Sequence, residues 1–204
     1  METTAQHNPG HDHGSLGGAI AMSPIIQTLV LMAGVSMLTW TGKHAGNVDP
    51  FVLQAPVTEP WWGALVSIYA HASPGHLASN ALILVLAGGL VSLSTTSLRF
   101  HAFFVSSGVI AGVAHVWVTD LLGTPVGGLG ASGATFALVG YVLAANPASD
   151  SLLGRASSIV VVLLAVALAL ALTVLWSAPG SAYFAHFVGA VLGLLAGRLH
   201  LLRA

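Results

Sequence analysis

Ser132 is the residue in this sequence best placed to act as a nucleophile. It lies in the run Gly-Ala-Ser-Gly at residues 130–133, after a glycine-rich loop and before a stretch of small apolar residues. The flanking glycines leave the serine sterically open, and the N–H groups at the start of a helix point toward such a position. A serine hydroxyl also needs a base that removes its proton.

His186 is the candidate base, because three glycines follow it at positions +3, +7 and +11, on one face of a helix. Such a glycine stripe lets a second helix approach closely. The stretch after Ser132 offers small residues for this contact: Gly133, Ala134, Ala137 and Gly140. If these two helices pack together, Ser132 and His186 come within hydrogen-bonding distance, and a neutral imidazole accepts the serine proton.

His76 and Asn80 are candidate donors to a negatively charged reaction intermediate. They are four residues apart, which places them on the same face of a helix. Together with the backbone at Ser132 they would stabilise an oxyanion, and a donor of this kind contributes roughly 10² to 10³ in rate. Each of these residues, taken singly, also fits a structural role as a helix cap or an interhelical hydrogen bond.

The composition predicts that all of these residues lie in a membrane protein. The chain has 204 residues, of which 55% are hydrophobic and 5% charged, with a mean hydropathy of +0.88. Soluble domains carry about 25% charged residues, so this chain lacks the polar groups that cover a water-facing surface. The absence of cysteine excludes thiol catalysis, and the net charge of -1 argues against a nucleic-acid partner.

Six apolar stretches of the chain are predicted to cross the bilayer as helices: residues 19–40, 73–93, 100–119, 132–145, 154–176 and 183–202. The fourth is shorter than the roughly 20 residues that a crossing needs, so Ser132 is expected to lie below the membrane surface in a wet recess. The polar stretch 1–18 reads as a disordered tail that precedes a six-span membrane domain at 19–204. A segment with two tryptophans, residues 61–71, is expected at the interface.

The charges predict the orientation of this bundle in the cell membrane. With both termini in the cytoplasm, the inner segments carry four arginines, whereas Lys43 is the only lysine or arginine in the outer loops. This distribution of basic residues satisfies the positive-inside rule. The four arginines are Arg99, Arg155, Arg198 and Arg203. No aspartate, glutamate or lysine lies within a predicted span, apart from Asp120 at a rim. Aspartyl or zinc-dependent proteolysis and retinal binding are therefore not expected.

These groups of residues resemble the motifs of the rhomboid family of intramembrane serine proteases. The matching residues are the G-x-S-G run at 130–133, His186 with its glycine stripe, and the set His71, His76 and Asn80. The resemblance implies an all-α, six-transmembrane-helix bundle in which a short central helix bears the nucleophile. Two positions depart from the family pattern, since Gly63 stands where an arginine is common and Phe136 where a tyrosine is common.

The resemblance also implies roles for these residues. Ser132 would be the nucleophile and His186 the general base. Four residues would form the oxyanion and substrate-binding site: His76, Asn80, Gly130 and Ala131. Four others would pack around the dyad: Gly133, Phe136, Gly189 and Gly193. No cofactor or metal is implied, and the substrates would be single-span membrane proteins cut near the outer membrane face.

Two other functions fit parts of the sequence. The first is a proteolytically inactive rhomboid-like protein that binds membrane helices, and such proteins characteristically lack Ser132, His186 or both. The second is a small-solute channel or transporter lined by histidines. A channel is expected to carry polar residues along the whole bundle, whereas here they gather near the predicted outer ends of the spans.

Overall fold

Long apolar helices dominate the part of the chain that the structure describes. The structure, a computed structural model, describes residues 23–204. The predicted tail at 1–18 and the first residues of the first predicted span lie outside the described residues. Between residues 23 and 204 there is no β-strand, and one isolated antiparallel bridge pairs Leu53 with Gly128.

The helices are numbered here in chain order. They are α1 (Pro24–His44), α2 (Gly63–Val66), α3 (Pro74–Ser92), α4 (Ser97–Leu121), α5 (Ser132–Ala144), α6 (Pro147–Leu153), α7 (Ser158–Trp176) and α8 (Tyr183–Arg198). A 3-10 turn at Asp49–Phe51 precedes α2, and a π-helical segment, Leu84–Gly88, interrupts α3. The prediction missed α6, which occupies part of a predicted loop, so α7 begins at Ser158 and not at residue 154.

Side-chain caps explain why several helices begin where they do. The Ser73 hydroxyl accepts a hydrogen bond from the N–H of His76, with Pro74 in the first turn of α3. Thr96 caps α4 and Asn146 caps α6 in the same way. These residue types satisfy N–H groups that lack a partner within the helix, and proline suits the first helical position. The starts of α3 and α4 therefore lie close to their predicted positions.

Within residues 23–204, four helices are long and apolar enough to cross a membrane: α1, α3, α4 and α7. A fifth crossing is possible if α5 and α6, which meet at a bend of 68°, count as one broken span. The apolar helix α8 has 16 residues. Together with many exposed leucines and valines, which water would not favour on a protein surface, these helices indicate a multi-pass membrane protein. The number of six spans stays a prediction.

The helices differ greatly in how deeply they are buried. Nine of the 13 residues of α5 are buried, and this helix packs against α3, α4 and α8. Only four of the 19 residues of α7 are buried, and α8 is its main neighbour. The helix that begins with Ser132 is therefore held on several sides, whereas α7 leaves most of its surface to the lipid.

Close backbone contact joins α5 to α8. A Cβ atom added at Gly189 would overlap the carbonyl oxygen of Gly133, and one added at Gly193 would overlap that of Ala137. The pairs are one helical turn apart on both helices, so the two backbones stay close over at least that turn. Small residues permit this approach, which favours van der Waals contact between membrane helices.

Arginine side chains lie at the end of the bundle away from Ser132. Arg203 donates a hydrogen bond to the carbonyl oxygen of Ala145, just after α5, at 3.2 Å. Arg198 pairs with Asp150 at 3.3 Å. Because α5 begins with Ser132, these charges lie about 18 Å from it along the helix axis. Which end faces the cytoplasm stays a prediction.

We expect Gly193→Ala to destabilise the protein, because the added methyl group would force α5 and α8 apart. Overpacking of this kind costs about 1–3 kcal/mol or more. Thermal unfolding in detergent micelles would measure the loss as a lower Tm. Gly89→Ala in α3 is the matched control, because a Cβ there meets no atom within 4 Å and alanine favours a helix. Equal midpoints for the two variants would contradict the close contact.

Candidate active site

The last residues of the loop before Ser132 are held by backbone hydrogen bonds. Gly128 and Leu53 exchange two of them, each at 2.9 Å, and the N–H of Gly130 donates to the carbonyl oxygen of Ser67 at 2.8 Å. Gly130 has φ of +124°, a conformation that favours glycine over other residues. The chain then enters α5 at Ser132, which is half-buried.

His186 lies flat against the helix that begins with Ser132. Its ring stacks on the ring of Phe136, with centroids 4.3 Å apart and planes inclined by 10°. Phe136 is four residues after Ser132, so both residues lie on the same face of α5. His186 itself is 6% exposed. The structure therefore places the candidate base beside the face of α5 that carries the candidate nucleophile.

The hydrogen bond of the His186 ring goes to a residue that the sequence did not indicate. Its Nδ1 atom lies 2.6 Å from the hydroxyl oxygen of Ser177, the residue that follows α7. Among the described residues, no hydrogen bond joins the Ser132 hydroxyl to the His186 ring. Nothing in the spacing marks Ser177, because a loop separates it from α8 and only the fold brings the two together.

His71 ties the site to α1. It is fully buried, and its Nδ1 atom lies 3.0 Å from the Ser36 hydroxyl and 3.1 Å from the Tyr69 carbonyl oxygen. Its Nε2 atom accepts the N–H of Ala131 at 3.4 Å. Since Nε2 accepts, Nδ1 carries the proton and donates. One histidine thus connects the first described helix to the residue before Ser132.

His76 and Asn80 both lie near the start of α5. The His76 ring occupies the space above Gly130, where an added Cβ would be 2.7 Å from its Cε1 atom. Asn80 is 3% exposed, and its amide nitrogen donates to the carbonyl oxygen of His76 at 2.9 Å. Its amide oxygen accepts from the Thr135 hydroxyl at 3.3 Å. One amide hydrogen of Asn80 is therefore used within α3, and a second remains.

The backbone donors near Ser132 are partly engaged. The N–H of Gly130 bonds to Ser67 and that of Ala131 to His71, as described above. The first N–H groups of α5 have no partner within the helix, because the carbonyls that would accept them lie before its start. The N–H groups of Ser132 and the residue after it are therefore the backbone donors at this point without a partner in the helix, whereas those of Gly130 and Ala131 are already bonded.

A small cavity of about 20 Å³ lies next to Ser132. That volume is enough for about one water molecule. His115 of α4 also lines it, and Ser67 and Gly130 contribute polar backbone or side-chain groups. His115 is 6% exposed, and its Nδ1 atom is buried with no hydrogen-bond partner among the described residues.

Metal ligands do not gather at this site or elsewhere in residues 23–204. Within that range, no group of three or more histidine, aspartate or glutamate side chains is arranged to hold an ion. The two closest imidazoles, those of His71 and His76, meet edge to face with centroids 5.1 Å apart. His71 already uses both ring nitrogens in hydrogen bonds to protein groups.

Comparison with protein families gives one match. Residues 58–203 match the Rhomboid domain, a range that contains all helices from α2 to α8 and every candidate residue described above except those of α1. A comparison with curated proteins found no match to the chain.

We expect the folded protein to lose stability as the pH falls from about 6.5 to about 4. Burial, assisted by the neighbouring His76 ring, lowers the pKa of His71 from 6.5 to about 4. Through that interval the unfolded chain binds a proton that folded His71 does not, so stability decreases as the pH decreases. The full effect is on the order of 3 kcal/mol.

Thermal unfolding of the wild type and of His71→Asn at several pH values would measure this effect. The variant should be less stable at neutral pH but should lose less stability on acidification. His44→Asn, at an exposed position, is the control and should follow the wild type. Equal acid losses for the wild type and His71→Asn would show that His71 does not carry the dependence.

Proposed function

Because this chain belongs to the rhomboid family, we propose that it is an intramembrane serine protease that uses a dyad of Ser132 and His186. The observation that carries the proposal is the stacking of His186 on Phe136, one helical turn from Ser132 on α5. A family member that only binds helices has no need for an oriented base beside an accessible serine. Retention of both residues therefore favours the enzyme over the inactive binding protein.

In the proposed reaction, His186 Nε2 removes the proton of the Ser132 hydroxyl as the oxygen attacks the carbonyl carbon of the substrate. The imidazolium then gives that proton to the leaving amine, and the peptide bond breaks to form an acyl-serine. A water molecule, deprotonated by the same imidazole, hydrolyses the ester and restores Ser132. Hydrogen bonds of this kind are often long before substrate binds, so the missing Ser132–His186 bond agrees with a resting enzyme.

The oxyanion of the intermediate would be held by three kinds of donor. These are the N–H at Ser132, the imidazole of His76 and the free amide hydrogen of Asn80. Gly130 contributes through its missing side chain, since any Cβ there would collide with His76. Ala131 contributes by anchoring its N–H on His71, which keeps the turn before Ser132 rigid.

The same proposal covers the substrate and the setting. We propose that the protein lies in the cell membrane with six crossings and both termini in the cytoplasm, and that it cuts single-span membrane proteins near the outer face. The arginine-rich end of the bundle would then face the cytoplasm. Gly133, Gly189 and Gly193 let α5 and α8 approach closely enough for base and nucleophile to meet.

We expect Ser132→Ala to abolish cleavage of a model single-span substrate by the purified protein in liposomes. The reason is that Ser132 is the residue at the start of α5, near the His186 ring, and alanine lacks its hydroxyl. The control is Ser106→Ala, an exposed serine of α4 that bonds only to its own helix, and this variant should cleave normally. Equal cleavage by the wild type and Ser132→Ala would show that Ser132 is not the nucleophile.

A fluorophosphonate probe separates an active from an inactive family member. We expect labelling of the wild type and loss of labelling in both Ser132→Ala and His186→Ala, because the probe reacts only with an activated serine. A wild type that binds the substrate helix but is neither labelled nor able to cleave would support the inactive binding protein instead.

We also expect Asn80→Ala to lower kcat by roughly a hundredfold with little change in KM, because an oxyanion donor acts mainly in the transition state. Steady-state cleavage in micelles measures both constants. Ser79→Ala is the matched control, since Ser79 is exposed and bonds only to the carbonyl of His76. A large rise in KM at constant kcat would assign Asn80 to substrate binding.

A further inference from the structure

Ser177 turns inward from a stretch that otherwise faces outward. Residues 174–176 before it and 178–180 after it are exposed, whereas Ser177 is half-buried. Its neighbour Trp176 is 61% exposed. Its N–H closes the last turn of α7 by donating to the Thr173 carbonyl oxygen at 3.1 Å, so the position of its side chain is set by that helix. The hydroxyl oxygen of Ser177 lies 2.6 Å from Nδ1 of His186.

The direction of this hydrogen bond decides what His186 can do. If Ser177 donated its proton to Nδ1, the neutral ring would carry hydrogen on Nε2 and could not accept a proton from Ser132 there. If Nδ1–H donates to the Ser177 oxygen, Nε2 has a free lone pair. The proposed reaction therefore requires the second arrangement, in which Ser177 accepts.

Phe136 alone does not hold the ring in that arrangement. Stacking at 4.3 Å and 10° fixes the plane of the imidazole, but it lets the ring turn within that plane. A hydrogen bond at one nitrogen removes this freedom and selects the tautomer. Among the described residues, no carboxylate forms an ion pair with His186, so the hydroxyl takes the place that an aspartate has in a Ser-His-Asp triad.

We propose that Ser177 is the positioning residue that orients His186, and this proposal rests on the proteolytic function proposed above. Ser177 accepts Nδ1–H, fixes the tautomer with Nε2 free, and stabilises the imidazolium that forms when Ser132 attacks. Because Ser177 ends α7, the least buried of the long helices with four of 19 residues buried, the orientation of the base depends on the position of that helix.

The sharpest test compares Ser177→Thr with Ser177→Val. The two side chains have the same shape, and only threonine keeps the hydroxyl. We expect Ser177→Val and Ser177→Ala to lower kcat by roughly tenfold to a hundredfold, the range found when a group that orients a metal-bound histidine is removed. KM should change little, and Ser177→Thr should restore kcat. Equal kcat in the threonine and valine variants would overturn the proposal.

A control in the same loop separates positioning from local folding. The described hydrogen bonds of Ser181 are formed by its backbone, so Ser181→Ala should keep wild-type kcat and KM. Ring nitrogen-15 spectra provide a second readout, with the His186 signal identified by its absence in His186→Gln. We expect a protonated Nδ1 in the wild type and a shift toward protonated Nε2 in Ser177→Val. A wild type with protonated Nε2 would overturn the proposal.

The outcomes distinguish this proposal from the function on which it rests. If the wild type neither cleaves nor reacts with a fluorophosphonate at Ser132, the proteolytic function fails. If the wild type cleaves and Ser177→Val cleaves with unchanged kcat, the function stands and the role of Ser177 is wrong. If cleavage requires Ser132 and His186 and falls with loss of the Ser177 hydroxyl, both stand.

Discussion

The contact between the backbones of α5 and α8 is the constraint on which the rest of the structure depends. Gly189 and Gly193 let α8 lie directly on the carbonyl groups of Gly133 and Ala137. Within a lipid environment this packing cannot be driven by the exclusion of water, so close van der Waals contact between backbones is a major source of attraction. His186 and Ser132 lie at the start of this contact, so the same glycines that join the helices also set the distance between the two residues.

The remaining site groups are held by elements that reach the start of α5 from other directions. His71 connects the turn at Ala131 to Ser36 of α1, and His76 fills the space that Gly130 leaves open. His71 is buried and both of its ring nitrogens have partners, which is how such polar groups are tolerated away from water. The result is a rigid turn before Ser132, and rigidity of this kind is what a preorganised oxyanion site needs.

The orientation of His186 depends on two interactions of different chemistry. Phe136 belongs to the most buried helix and fixes the plane of the ring, while Ser177 belongs to the end of the least buried long helix and bonds to one ring nitrogen. The His186 ring therefore contacts one residue of a buried helix and one residue at the end of a more exposed helix.

The sequence by itself determined the helical membrane class, the starts of α3 and α5, and the identity of Ser132, His186, His76 and Asn80 as candidates. Hydropathy, capping residues and helical spacing are local properties, so they can be read without the fold. Only the tertiary structure decided that the N–H of Ala131 bonds to His71 and that Ser177 bonds to His186. Those contacts join residues from separate helices through side chains that no periodic pattern marks, and they arise only when the glycine-lined helices have packed.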